Sequence, residues 1–173
     1  MTYTFTGPQN LGVAHLPTDI YTSLPDGMFV GQVVEAKDPA NGYWGRFKLL
    51  KGCASTAAGL LVSYNGATGA TAIAPTTANS DRPLAVAMSA NTATTSYGWY
   101  QTEGVATILK TAVAVSPDVI LYLSATAGRV KVIQSAGLQI LGARSANAAT
   151  VTSTTSTVLV TLAPGVQAQG QIT

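Results

Sequence analysis

Asn91-Thr-Ala-Thr-Thr-Ser-Tyr-Gly-Trp-Tyr-Gln-Thr-Glu-Gly-Val-Ala106 is the stretch whose reading decides the fold. Tyr97, Trp99 and Tyr100 fall within four residues of a chain that is only 7% aromatic. Successive side chains of a strand point to opposite faces, so Tyr97 and Trp99 share one face and Tyr100 takes the other. The segment can therefore serve two packed layers, and it reads as a central β element. Gly98 leaves space between the rings for another backbone or ring to approach. Gly104 is expected to break the run before the apolar residues 105–109.

Upstream, residues 28–35 are strand-like, 37–42 supply turn residues, and 43–50 return, forming a hairpin. In the return, Arg46 and Lys48 alternate with Phe47 and Leu49, which gives a wet face and a core face. Tyr43 and Trp44 open that strand and join the three central rings as candidates for the core or an interface. Residues 59–64 and 70–74 flank an Asn65-Gly66 turn signal, and a polar loop then leads to an apolar strand over 83–88. Downstream, 111–118 is a weak strand ending at Pro117 and Asp118. Residues 119–124 pair with 129–133, 138–144 form another strand, 147–157 are a loop or an edge, and 158–162 close the fold. Strand signals recur every eight to fifteen residues and no helical period is sustained, so the expectation is an all-β barrel or sandwich.

The ends read differently. Residues 1–27 hold Pro8, Pro17 and Pro25 together with Gly7, Gly12 and Gly27, a density that forbids a long helix. The same residues carry apolar anchors, among them Tyr3, Phe5, Ile20 and Tyr21, and such an arm should lie on some surface. The expected organisation is an extended docking arm over 1–27, a β domain over 28–164 and a tail over 165–173.

Charge is scarce: nine Lys and Arg with seven Asp and Glu make 9% of the chain, against about 25% in an average soluble domain. Alanine (27 residues) and threonine (24) take their place. So few charges build little repulsive surface, which points to a self-associating or partner-covered protein. The net charge of +2 is scattered singly, leaving no basic stripe for nucleic acid. No run of about 18 apolar residues and no leader-like start are present, so the expectation is a protein made in the cytoplasm with no membrane contact.

Enzyme chemistry needs a nucleophile with a base, paired carboxylates or a metal cage. The single histidine, His15, sits in the proline-rich arm, where packing or a hydrogen bond is the ordinary role. Most of the seven carboxylates lie in or beside turns, where Asp caps the backbone. Glu103 is the exception, expected at a solvated strand end, with an Arg across a strand or a subunit boundary as the alternative. Cys53 is read as a small buried side chain, and no glycine-rich loop leads into a helix to cradle phosphate. No catalytic residue, metal or cofactor is expected. The rings at 97–100 suit core packing, with a sugar-binding platform as the rival.

The order of segments resembles the small head decoration, or cement, proteins that coat the capsids of tailed bacteriophages. The resemblance rests on Phe29-Val-Gly-Gln-Val-Val, Tyr43-Trp-Gly-Arg-Phe-Lys, Pro83-Leu-Ala-Val-Ala, Tyr97-Gly-Trp-Tyr-Gln-Thr-Glu-Gly-Val-Ala, Leu121-Tyr-Leu-Ser-Ala-Thr-Ala-Gly and a final apolar strand with Pro164. It implies a β-rich barrel or β-tulip that assembles as a homotrimer on the outer face of the virion. It also implies the major capsid protein as partner and carries no catalytic residues. Another structural part of the virion, such as a head fibre base or a tail subunit, and a carbohydrate-binding β-sandwich are the alternatives.

Overall fold

The computed structural model describes residues 1–6 and 15–170. The chain is all-β, with no helix among the described residues. Its strands are β1 (Thr4–Phe5), β2 (Ile20–Tyr21), β3 (Val33–Lys37), β4 (Trp44–Lys51), β5 (Leu61–Tyr64) and β6 (Thr71–Ile73). They continue with β7 (Leu84–Ala87), β8 (Tyr97–Leu109), β9 (Ile120–Leu123), β10 (Val130–Lys131), β11 (Gln139–Ser145) and β12 (Thr157–Ala168). One antiparallel sheet runs β1-β3-β4-β8-β12-β11-β9-β10, with β2 and β7 also on β8 and β5 joining β7 to β6. Single bridges, Lys110 to Val130 and Pro83 to Gln167, curl the sheet over its own interior. No continuous ladder closes it into a barrel, and the fold is sandwich-like.

β8 is the hub, and Gly104 explains how one strand serves two neighbourhoods. From Tyr97 to Gly104 it pairs with β4; from Gly104 to Leu109 it pairs with β12. The β4 register shifts between Arg46 and Phe47, a bulge that turns the strand. Gly104 has φ +89°, and a Cβ there would lie 2.1 Å from the Trp44 carbonyl oxygen. Only glycine fits that position. The break expected at Gly104 is therefore a change of partner along an unbroken 13-residue strand.

Alternation on β8 places Trp99 in one core and Tyr100 in another. Trp99 packs with Tyr3, Met28, Val34, Ala36, Phe47 and Leu49. Tyr100 packs with Leu50, Cys53, Val62, Ala85 and Ala87. The second half of β8 adds Ala106 and Ile108 to an aliphatic core with Val115, Leu121, Leu123, Val130, Ile140, Val158, Val160 and Leu162.

Three sequence expectations need correction. The described residues of the expected docking arm over 1–27 are not separate from the domain: Tyr3 is 4% exposed, and Phe5, Tyr21 and Leu24 pack on the Trp99 core. Proline and glycine do exclude a helix there, but strands of two residues need no long regular run. Thus β1 pairs with β3 and β2 with β8. Of the four arm anchors, Ile20 alone is largely open, at 45% exposure. At the other end β12 continues through Pro164 to Ala168, with Val166 and Ala168 buried, so the tail boundary at 165 falls inside a core strand. Residues 7–14 of the expected arm and 171–173 of the expected tail lie outside the described residues. Finally, the strand expected from 28 begins at Val33, because the preceding residues turn, and 111–114 form no strand.

Candidate functional site

The aromatic stretch is built into the protein's interior. Trp99 is fully buried and Tyr100 is 1% exposed; Tyr97 is half-buried against the Trp99 core. Phe5 meets Trp99 edge-on with ring centroids 5.1 Å apart, and Tyr3 meets Phe47 at the same distance. Trp99 Nε1 donates to the Tyr21 hydroxyl (3.2 Å), and that hydroxyl lies 3.0 Å from His15 Nδ1. Tyr21 thus ties the N-terminal segment to the indole, and the lone histidine bonds that tyrosine within the segment. The Tyr100 hydroxyl donates to the Lys51 carbonyl at 3.2 Å, and burial pushes its pKa up to about 12. The space left by Gly98 is filled by the Asn91 side chain, whose amide would sit 3.0 Å from a Cβ. Rings enclosed in this way offer no open stacking platform to a sugar.

The open face lies on the β3–β4 hairpin. Register sets Val33 opposite Lys48, Glu35 opposite Arg46, and Lys37 opposite Trp44. Odd-numbered residues of β3 point outward while Val34 and Ala36 point into the core. Trp44 is 50% exposed and Val33 49%; Phe29, in the turn before β3, is 62% exposed. Tyr43, the other candidate of this pair, packs inward against the Trp99 core. Between the apolar ends stands an ionic ladder: Arg46 Nη2 is 3.0 Å from Glu35 Oε1, and Nη1 is 3.1 Å from Glu103 Oε1. Glu103 therefore pairs with an arginine across the strand and does not sit at a solvated strand end. Lys48 Nζ lies 5.0 Å from the centre of the Tyr64 ring, a cation–π contact at the same surface.

Other carboxylates have structural partners. Asp38 accepts from the Asn41 amide (2.8 Å) and the Ala40 N–H (3.1 Å), and the Asn41 bond leads in holding its pKa below the ordinary value. Asp19 accepts from the Leu16 N–H, and Asp118 accepts from Arg144 Nε, both at 2.7 Å. Cys53 is buried with its Sγ 3.0 Å from the Thr56 hydroxyl. Among the described residues no group of three His, Cys, Asp or Glu side chains converges as a metal site.

One residue that sequence reasoning passed over is Lys110, just beyond β8 and only 1% exposed. Its Nζ donates to the carbonyls of Val113 (2.8 Å), Thr152 (2.9 Å) and Thr111 (3.3 Å). Burial drives its pKa below the ordinary lysine value. Parity is the signal that could have found it, since Lys110 continues the inward set of Ala106 and Ile108.

No protein-family model matches the chain, and neither a curated protein nor a solved structure matches it.

Proposed function

We propose that this chain is a noncatalytic structural protein of a tailed bacteriophage virion. In this reading it binds the outer surface of the capsid as a homotrimer and reinforces contacts between major capsid subunits. The observation that carries the proposal is the β3–β4 face, where Trp44 stands open at one end and Val33, with Phe29 in the turn before it, at the other, on a chain with 9% charged residues. Open large side chains at both ends of that face, on a chain short of charge overall, are suited to being covered. The ionic ladder at its middle supplies orientation, since fixed charges set the register of a contact more than its strength. Burial of about 1,600 Å² per contact is enough to hold neighbouring shell subunits together. The resemblance of the segment order to that of decoration proteins supports the same assignment.

The test has two parts. Light scattering at micromolar concentration should give three times the 17.6 kDa chain mass, and a mass of one chain removes the trimer. Immunogold labelling of virions of the phage that encodes the chain should then decorate the heads at regular spacing. Label on the tail or on head fibres would reassign the protein to another structural part, and unlabelled particles would overturn a virion role.

A further inference from the structure

We propose that the cleft beside Lys110 is a binding site for an oxyanion carried on a small hydroxylated molecule. This inference is independent of the capsid reading. The cleft is an open groove of about 550 Å³ between Thr111 and Ala112, the turn bearing Thr126 and Arg129, and residues 153–156. That volume lies within the range of small-molecule sites. Hydroxyl side chains and one guanidinium line it, and no carboxylate does.

Arg129 sets the charge. Arg46 and Arg144 are each held by carboxylates, whereas no described carboxylate lies within ion-pair distance of Arg129. Its Nη1 donates to the Lys110 carbonyl at 3.1 Å, which fixes the guanidinium at the cleft and leaves its other N–H groups for a ligand. A planar guanidinium with free donors matches the paired oxygens of phosphate, sulfate or carboxylate.

Lys110 fixes the walls. Its buried ammonium donates to carbonyls on both sides of the cleft, Thr111 and Val113 on one and Thr152 on the other. The Lys110 N–H also donates to the Ser156 carbonyl at 2.8 Å. An ammonium so buried without a carboxylate is costly, and its three carbonyl bonds tie the two sides of the cleft together. Thr152 meets the hydroxyls of Thr154 (2.9 Å) and Thr155 (3.3 Å), so that wall is a connected run of hydroxyls suited to a polyol. Preorganisation of this kind lowers the ordering cost of binding.

Amide chemical-shift titration of the full chain at fixed ionic strength tests the proposal, with inorganic phosphate, glucose 6-phosphate and glucose as probes. Both phosphate-bearing probes should produce saturable shifts at Thr111, Ala112, Arg129 and residues 153–156. Tighter binding of glucose 6-phosphate than of inorganic phosphate supports the proposal, while equal binding of the two would show that the hydroxyl wall adds nothing and would overturn the hydroxylated carrier. Arg129→Gln should weaken binding by about tenfold or more, the effect of losing a charge-assisted hydrogen bond. If Arg129→Gln loses the native spectrum, Arg129→Lys decides, because loss of the planar fork should still weaken binding severalfold. The proposal is overturned by the absence of saturable shifts, by glucose binding as well as its phosphate, or by unchanged affinity in the deciding variant.

Discussion

Gln101 on β8 and Lys110 just beyond its end are both buried, yet the two ends of that strand face cores built in opposite ways. At the N-terminal end a few large groups carry the packing: Trp99, Phe47, Tyr3 and Phe5, with Tyr100 on the reverse face. At the C-terminal end seventeen buried Ala, Val, Leu and Ile side chains between Leu61 and Ala168 share it. Burial scales with area, so a core of rings concentrates its stabilisation in few residues, whereas an aliphatic core spreads it. The first end also depends on chain that is distant in sequence, since Tyr3 reaches Phe47 and Tyr21 reaches Trp99. The second is assembled largely from residues that follow β8.

The sharpest way to break this contrast is to remove residues 2–27. Tyr3, Phe5, Tyr21 and Leu24 leave together, exposing Trp99 and Phe47, so the truncated chain should lose its cooperative unfolding transition. A truncated chain that melts cooperatively near the parent temperature would show that the segment only rests on a finished core. Single substitutions come next. Trp99→Ala should cost about 3 to 5 kcal/mol, and Val160→Ala, which deletes two carbons from the dispersed core, about 2 kcal/mol. Urea unfolding of the two variants checks the difference, and equal losses would erase the distinction between the ends.

Alkaline titration separates the ends by sign. Burial raises the Tyr100 phenol from 10.0 to about 12, so the folded chain keeps a proton that the unfolded chain releases above pH 10. The resulting stability is complete below pH 10 and falls as pH rises towards 12, by about 2 to 3 kcal/mol. Burial of Tyr3, Tyr21 and Tyr64 acts in the same direction. Lys110 acts oppositely: its folded pKa is lowered, so the unfolded chain binds the proton more readily. Its contribution therefore rises with pH from the lowered folded value up to the ordinary lysine value of 10.5. Tyr100→Phe should flatten the decline between pH 10 and 12 in denaturant melts, and Val160→Ala should leave its slope unchanged.

Period-two alternation made much of this architecture legible. It placed Trp99 and Tyr100 on opposite faces, turned Phe47 and Leu49 inward, and paired the strands around Asn65-Gly66 and across residues 124–129. Other features depend on long-range geometry that local pattern does not carry. Proline density in the first residues argued correctly against a helix but says nothing about a two-residue strand finding β3 some thirty positions away. The Gly104 handover is visible only once the Trp44 carbonyl is seen against it. The pairing of Glu103 likewise needs the β4 register, because Arg46 is 57 positions distant. The open Trp44 and the partly buried Tyr43 were indistinguishable by composition.

The smallest effects belong to the ionic ladder, and they test whether the outer face of the aromatic end adds stability or only register. Arg46 reaches Glu35 and Glu103 with comparable geometry, but the Glu35 side chain is 55% exposed and that of Glu103 is 14% exposed. Water and salt screen the first pair, so Glu35→Gln should cost at most about 0.5 kcal/mol and nothing measurable in high salt. Glu103 stands on the hub strand with less solvent around it, and its substitution leaves a half-buried guanidinium with one partner fewer. Glu103→Gln should therefore cost about 1 to 2 kcal/mol and keep most of that loss in 1 M salt. Denaturant midpoints of both variants at low and high salt give the comparison directly. Equal, fully screened losses would mean that the ladder behaves as a surface network throughout. A persistent excess at Glu103 would instead make Arg46 the strut between β4 and β8, at the bulge where the strand changes neighbours.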